Sequence, residues 1–209
     1  LAAGPQYRPI DRQAAAAQIA ERYGLAGPFV YYVGGLDARK NVATLVRAWQ
    51  RLRCAGGPAA TLAIAGRALG DDPRLFPDLD TLIAELGVAD SIRRIDVPRE
   101  DNALLYNGAT AFAYPSRYEG FGMPPLEAMA CGTPAVVAEA SSLPEVVSDA
   151  ALLAPPDDVA AWAVGLWRLL GDRALRDMLR ARGFARAARF SYARVARETV
   201  DVYEQTARL

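Results

Sequence analysis

The stretch that decides the fold is residues 109–134, which read ATAFAYPSRYEGFGMPPLEAMACGTP. It begins as an apolar run that ends at Tyr114, a pattern typical of a buried strand. Gly120 and Gly122 then give a flexible loop, and the two prolines after them are suited to the start of a helix. We expect Glu127 in the first turn of that helix. A strand, a glycine-rich loop and a helix in this order predict one unit of a parallel sheet.

The same alternation extends in both directions from this stretch. Amphipathic segments at helical spacing separate the apolar runs. This order predicts a doubly wound parallel α/β sheet, in which ligands bind in the loops that follow the carboxyl ends of the strands. The predicted strands are residues 29–33, 61–65, 92–97, 109–114, 135–138 and 151–153, and the predicted helices include 11–23, 42–52, 79–86, 159–170 and 191–207.

The length of 209 residues fits one domain with short additions. We divide the chain into a linker with a leading helix at residues 1–28, an α/β domain at 29–189 and a C-terminal helix at 190–209. After residue 153 we expect helices to the end of the chain.

The composition excludes several classes of function. The 24 basic and 24 acidic residues balance, which argues against nucleic-acid binding. The absence of histidine excludes catalytic triads and histidine-based zinc sites. Cys54 and Cys131 have no metal-binding or disulfide spacing, so we expect two reduced, buried thiols in a cytoplasmic protein. No apolar run approaches the roughly 20 residues that span a bilayer.

The loop after the first strand carries two glycines followed by two cations. Gly34 and Gly35 allow a ligand to approach the backbone, and Arg39 and Lys40 stand where a helix begins and can meet phosphate oxygens. The same residues also suit a tight turn with surface cations. Their spacing matches neither a dinucleotide fingerprint nor a P-loop.

The carboxylates Glu119 and Glu127 are the other candidates for chemistry. Free amides at the helix start attract a diphosphate. A carboxylate bound to those amides would compete with it, so a functional Glu127 should face neutral hydroxyls, such as those of a ribose. The alternatives are compensation of the helix dipole for Glu127 and an ordinary surface charge for Glu119.

Three further patterns have structural explanations. Asp78 and Asp80 have the D-x-D form that holds a metal on a sugar nucleotide, but they open a helical pattern, where acids serve as dipole partners. Arg67 suits either a phosphate contact or a solvated loop. Three tryptophans are expected to pack in the core or between helices, namely Trp49, Trp162 and Trp167.

These residues resemble the carboxy-terminal, donor-binding half of the GT-B glycosyltransferases of family 4, also called glycosyltransferase group 1. The resemblance covers about residues 29 to 189. It rests on YEGFGMPPLEAMACGTP, on the preceding ATAFAYPS and on GGLDARKN near the start. It implies a Rossmann-like domain that is one half of a GT-B fold.

The resemblance also implies roles for individual residues. Glu127 would hold the ribose hydroxyls of a nucleotide sugar, Glu119 would contact the transferred sugar, and Lys40 would bind the diphosphate. Glu119 and Lys40 would form the catalytic pair. The implied donor site consists of Gly34, Gly35, Arg39, Lys40, Arg67, Val97, Glu119, Gly120, Phe121, Gly122, Met123 and Glu127.

The chain departs from the family pattern at two places. Many members have an arginine where this chain has Gly35, which leaves more of the phosphate charge to Lys40, helped by Arg39 or Arg67. Many members also begin a G-x-V-P loop with a glycine where this chain has Ile95, so we expect an altered base pocket around Val97.

The implied activity is retaining sugar transfer from a GDP-, UDP- or ADP-linked donor to a glycan or lipid-linked acceptor, with no metal and no cofactor. The amino-terminal half of the GT-B fold would complete the site, and would provide any peripheral contact with the inner membrane. The form GGLDARKN is most similar to mannosyl- or rhamnosyl-type members. The alternatives are a non-catalytic sugar-nucleotide-binding module and a GT-B sugar-nucleotide epimerase.

Overall fold

The computed structural model describes residues 1–207, so the last two residues of the predicted C-terminal segment lie outside the described residues. The strands are β1 (Phe29–Val33), β2 (Thr61–Ala65), β3 (Ile92–Ile95), β4 (Ala111–Tyr114), β5 (Ala135–Ala138) and β6 (Leu152–Ala154). The helices are α1 (Arg12–Tyr23), α2 (Val42–Cys54), α3 (Leu79–Glu85), α4 (Asn102–Gly108), α5 (Met123–Ala130), α6 (Leu143–Val147), α7 (Val159–Gly171), α8 (Arg173–Ala187) and α9 (Tyr192–Thr206).

The six strands form one sheet in the order β3-β2-β1-β4-β5-β6, and every neighbouring pair is parallel. This confirms the predicted doubly wound fold. The chain builds outward from β1 in one direction and then returns to add β4 on the other side of β1. The order therefore reverses between β1 and β4, and a crevice for ligands forms at such a point.

Three strands differ from their predicted bounds. Strands β3 and β4 are shorter at one end, and β6 is shifted by one residue, with Ala154 paired opposite Ala138. Strand β3 ends at Ile95 because its partner β2 ends at Ala65, directly opposite, so the ladder has no acceptor beyond it. Strand β4 begins at Ala111, since Ala109 closes helix α4 through its amide instead.

The helices begin where the sequence places short polar side chains. Asp11, Asp158 and Ser191 accept hydrogen bonds from the first amides of α1, α7 and α9. The chain after residue 153 differs from the expectation, because β6 extends to Ala154 and residues 155–158 form a turn before α7. Helices α4 and α6 were not predicted from the sequence.

The core contains two of the three tryptophans. Trp49 and Trp162 are completely buried, whereas Trp167 is 42% exposed and does not belong to the core. The expectation of two buried thiols is wrong for Cys54, which is exposed. It is the last residue of α2 and lies beyond Leu52, the last residue of that helix to be buried. Cys131 is buried as expected.

Candidate functional site

The loops after β1 and β4 meet at the point where the strand order reverses. The Arg117 amide donates to the Arg39 carbonyl at 2.8 Å, and the Arg117 guanidinium donates to the Ala38 carbonyl at 2.7 Å. Because parallel strands end at the same edge of a sheet, these contacts bring two segments 79 residues apart in sequence to one place. The predicted residues of both loops therefore lie together.

A largely buried triad of side chains, Lys40, Tyr114 and Glu119, occupies this junction. The Lys40 Nζ atom lies 2.5 Å from the Glu119 Oε1 atom and donates to the Tyr114 hydroxyl at 2.9 Å. The Tyr114 hydroxyl donates to the same Glu119 oxygen at 2.8 Å. The side chains of Lys40 and Glu119 are only 12% and 13% exposed. Glu119 is thus held by the end of β4 and by a cation from the loop after β1.

The surroundings of Glu119 favour its ionised form. Burial opposes ionisation, but hydrogen bonds from Lys40, Ser116 and Tyr114 outweigh burial and lower the pKa of Glu119. Burial and the charge of Glu119 together raise the pKa of Tyr114, which keeps its proton. The alternative of an ordinary surface charge does not fit this environment.

Composition also singles out Lys40. It is the only lysine in the sequence, which otherwise uses arginine for its basic residues. A lysine is a compact point charge with three donors, whereas arginine is a planar fork. In a chain so rich in arginine, the one lysine lies at the sheet's functional edge. This signal was available in the sequence, and the sequence analysis did not use it.

Helix α5 begins next to Glu119, at a glycine with a left-handed backbone. Gly122 has φ of 108°, and a Cβ there would lie 2.6 Å from a Leu143 methyl carbon. The hydroxyl of Ser142 donates to the carbonyls of Glu119 and Phe121, at 2.9 Å each. Within residues 1–207, the amides of Phe121, Gly122 and Met123 have no hydrogen-bond acceptor. These N–H donors lie at the N-terminal end of α5, which is the positive end of the helix dipole and attracts anions.

Glu127 lies in a different position from the one expected. The helix begins at Met123, so Glu127 is its fifth residue and falls in the second turn, and no acid occupies the first turn. Pro124 and Pro125 lie in the first turn, which confirms the expectation that they open the helix, and Gly122 is the N-cap. Compensation of the helix dipole, which acts within the first turn, does not account for Glu127.

The Glu127 carboxylate is half-buried beside tyrosines. The Tyr106 hydroxyl donates to Glu127 Oε2 at 3.2 Å, and the Tyr7 ring packs edge-on against the Tyr106 ring at 5.9 Å. Burial raises the pKa of Glu127, although the neighbouring tyrosine hydroxyls and the charge of Arg99 work against the rise. Glu119 and Glu127 are therefore in opposite electrostatic settings, one facing a cation and one facing neutral hydroxyls.

The other predicted site residues divide into two groups. Gly34 and Gly35 lie at the end of β1, where the Tyr32 hydroxyl donates to the Gly35 carbonyl at 2.6 Å. The Arg39 guanidinium lies 3.5 Å from Glu119 and is partly exposed. Arg67 and Val97 follow β2 and β3. Arg67 forms an exposed ion pair with Asp96, and Val97 is half-buried against the core.

The D-x-D motif is used for helix capping. Asp78 accepts from the amides of Asp80 and Thr81, and Asp80 pairs with Arg94 at 2.9 Å. Among residues 1–207, no group of three acidic or sulfur side chains could hold a metal ion. In the same part of the chain, no helix is both long and apolar enough to span a bilayer.

Sequence reasoning missed the side chains that hold the two glutamates. Tyr106 had no motif that marked it, Tyr114 was recognised only as the end of a strand, and the serines after β5 were not singled out. Only the apolar context of the two tyrosines was visible, and this context predicts core packing. Their contact with carboxylates depends on which elements become neighbours.

Comparisons with known proteins give a consistent result. Residues 18–186 match the family model described as glycosyl transferases group 1. The O-antigen chain mannosyltransferase B of Escherichia coli is 37% identical over 207 residues, which is 98% of this chain and 53% of that protein. The chain spans about half the length of such relatives.

Solved structures show the same relation. Sucrose-phosphate synthase from Thermosynechococcus elongatus is 30% identical with a TM-score of 0.78, over 96% of this chain and 50% of that one. HepE from Anabaena, solved in complex with UDP-glucose, is 20% identical with a TM-score of 0.83, over 96% of this chain and 54% of that one. The second likeness shows the fold alone.

Proposed function

The chain belongs to the glycosyl transferases group 1 family, and from this premise we propose that it is the donor-binding half of a retaining glycosyltransferase. The proposed reaction moves mannose from a nucleotide sugar to a glycan or lipid-linked acceptor. The amino-terminal half of the GT-B fold would hold the acceptor. Support for mannose comes from the Escherichia coli relative, named as a mannosyltransferase, and from the form GGLDARKN.

One observation carries the proposal. Lys40 and Glu119, from loops after two different strands, meet beside a helix start whose first amides have no acceptor within residues 1–207. Cation and amides provide positive potential for a diphosphate, and Glu127 lies one turn further along the same helix. This arrangement has a separate place for each part of a nucleotide sugar.

In the proposed site, the diphosphate lies on Lys40, Arg39 and the amides of Phe121, Gly122 and Met123. The Glu127 carboxylate accepts hydrogen bonds from the ribose hydroxyls. Glu119 faces the hydroxyls of the transferred sugar. During transfer, negative charge grows on the departing diphosphate, and preorganised donors at that position stabilise the transition state.

The proposal is tested by nucleotide binding in the presence of EDTA. We expect GDP, UDP or ADP to bind the chain without metal, since the site provides its own positive charge. At a ligand concentration of about 100 times Kd, binding should stabilise the fold by roughly 2.7 kcal/mol. Titration calorimetry and thermal unfolding measure the two effects. No binding of any of the three with EDTA, and recovery with magnesium, would refute the metal-free site.

A further inference from the structure

The Tyr114 side chain is held rigidly between the two loops of the candidate site. Tyr114 is the last residue of the central strand β4 and is only 1% exposed. Its ring lies nearly parallel to the Tyr32 ring at 6.3 Å and to the Phe112 ring at 5.8 Å. A tyrosine side chain has only two rotatable bonds, so a ring packed in this way keeps its hydroxyl in one place.

The Tyr114 hydroxyl connects the Lys40 ammonium group to the Glu119 carboxylate. Its oxygen lies 2.9 Å from Lys40 Nζ and 2.8 Å from Glu119 Oε1, and Nζ also lies 2.5 Å from that carboxylate oxygen. An ammonium group only donates, and an ionised carboxylate only accepts. The hydroxyl therefore accepts a hydrogen bond from Lys40 and donates one to Glu119 at the same time.

The two side chains that Tyr114 contacts come from different loops and are the flexible members of the triad. Lys40 lies before α2 and Glu119 lies in the loop after β4, and a lysine has a flexible four-carbon stem. The Lys40 Nζ atom also lies 5.3 Å from the centre of the Tyr114 ring, within the range of a cation–π contact. Tyr114 is thus the fixed group against which the other two are placed.

The number of donors on an ammonium group shows what this arrangement provides for a ligand. An ammonium group has three N–H donors. Among residues 1–207, the acceptors of the Lys40 side chain are Tyr114 and Glu119, which leaves one donor for a phosphate oxygen. Without the hydroxyl, the ammonium group would be held by Glu119 alone, and the direction of its remaining donors would no longer be fixed.

We propose that Tyr114 is a positioning residue of the donor site, whose hydroxyl holds the Lys40 ammonium group towards the diphosphate and the Glu119 carboxylate towards the transferred sugar. This inference rests on the proposed function, in which Lys40 and Glu119 bind those two parts of a nucleotide sugar. Tyr114 acts through these two side chains and not by its own contact with the ligand.

The first test is a double-mutant cycle with Lys40. Tyr114→Phe keeps the ring and its packing and removes only the hydroxyl. We expect it to weaken the binding of GDP, UDP or ADP, whichever binds the wild type best, by about 2- to 12-fold, the contribution of one hydrogen bond. Added to Lys40→Met, it should cause no further loss, because no ammonium group remains to be held. Losses that add in the double variant, or no loss in Tyr114→Phe, would overturn the proposal.

The mannose conjugate of the same nucleotide tests the contact with Glu119. We expect Tyr114→Phe to weaken the binding of this nucleotide sugar more than that of the bare nucleotide, since the Glu119 carboxylate also loses a group that orients it. Calorimetry measures both affinities. Equal losses for the two ligands would show that the hydroxyl does not act on Glu119, which would contradict the proposal.

Tyr23→Phe is the matched control, because the same three kinds of group meet there. The Tyr23 hydroxyl donates to the Asp101 carboxylate, which also pairs with Arg22, and the Arg22 guanidinium lies 5.6 Å from the centre of the Tyr23 ring. We expect Tyr23→Phe to leave nucleotide binding unchanged. A loss as large as that with Tyr114→Phe would show a general effect of removing a tyrosine hydroxyl from an ion pair, and the proposal would be wrong.

The second test needs no nucleotide and separates this inference from the proposed function. Lys40 is the only lysine in the sequence, so protein labelled with nitrogen-15 lysine has one side-chain ammonium signal. We expect Tyr114→Phe to shift this signal and to speed the exchange of its protons with water, and Tyr23→Phe to change neither. No change in Tyr114→Phe would refute the positioning role even if nucleotides bind. A change in a chain whose wild type binds no nucleoside diphosphate would refute the proposed function, and the inference would fall with it.

Discussion

Replacement of Lys40 by methionine tests the centre of the proposed site most directly. The substitution keeps an unbranched side chain of similar length and removes the charge. In the ligand-free structure the Lys40 ammonium group contacts Glu119 at 2.5 Å and Tyr114 at 2.9 Å. A bound diphosphate would add phosphate oxygens to these partners. We therefore expect Lys40→Met to weaken the binding of nucleoside diphosphates and to leave the binding of the corresponding nucleoside unchanged.

The size of the effect follows from the contact that is lost. A hydrogen bond to a charged group contributes about 1.5 to 3 kcal/mol. Since each 1.4 kcal/mol changes an equilibrium constant tenfold, we expect a loss of about 10- to 150-fold in affinity. Because the Lys40 side chain is only 12% exposed, we expect its removal to cost more affinity than the removal of a surface cation would. Arg74→Met is the control, because Arg74 is an exposed cation whose ion-pair partner among the described residues is the nearby Asp72.

The assay can use the fact that Lys40 is the only lysine in the sequence. Protein labelled with nitrogen-15 lysine has a single side-chain ammonium signal, which reports on this group alone. We expect that signal to shift on addition of nucleoside diphosphate, and calorimetry to give the affinities. If the signal does not move at saturation, or if Lys40→Met binds the diphosphate as tightly as Arg74→Met does, Lys40 does not bind the diphosphate.

Two further predictions concern the glutamates. Glu127→Ala should weaken the binding of the bare nucleotide and of the nucleotide sugar alike, by the equivalent of about 1.5 to 3 kcal/mol. Glu119→Ala should weaken the binding of the nucleotide sugar only. Calorimetry with both ligands separates these roles, and equal losses in all four combinations would contradict them. Because burial raises the pKa of Glu127 above its usual 4.5, acidification should protonate it, and weaken binding, at a higher pH than for an ordinary glutamate. Binding measured from neutral to acidic pH should fall more steeply in the wild type than in Glu127→Gln, in which protonation of the ligand's phosphates still occurs, and parallel curves would contradict this.

The fold could be predicted from the sequence because local patterns and global topology agree in it. Four of the six apolar runs, those that end near residues 33, 65, 114 and 153, are followed by a predicted helix, and such an order permits few arrangements other than a parallel sheet. The errors lie at the ends of elements. Strand β3 ends at Ile95 because β2 ends opposite it, and the length of the partner strand cannot be predicted from the sequence of β3 itself.

The candidate site could be predicted only in part, for a related reason. Glu119, Lys40 and Gly122 lie in loops at strand ends, where the physics of parallel sheets places ligands and where polar residues are conspicuous. Tyr7 and Tyr106 lie 99 residues apart in sequence, and only the tertiary structure brings them together. A buried tyrosine in an apolar context does not reveal which carboxylate its hydroxyl will reach.

The spacing of the two glutamates accounts for their different environments. Glu119 precedes the start of α5 and remains in the loop, where it can reach the cation that follows β1. Glu127, eight positions later, lies past the first turn of α5, where it accepts a hydrogen bond from the Tyr106 hydroxyl of α4. Between them lie the amides of Phe121, Gly122 and Met123. A carboxylate in the first turn would neutralise these donors, so the same spacing that separates the two acids also leaves the helix start free for an anion.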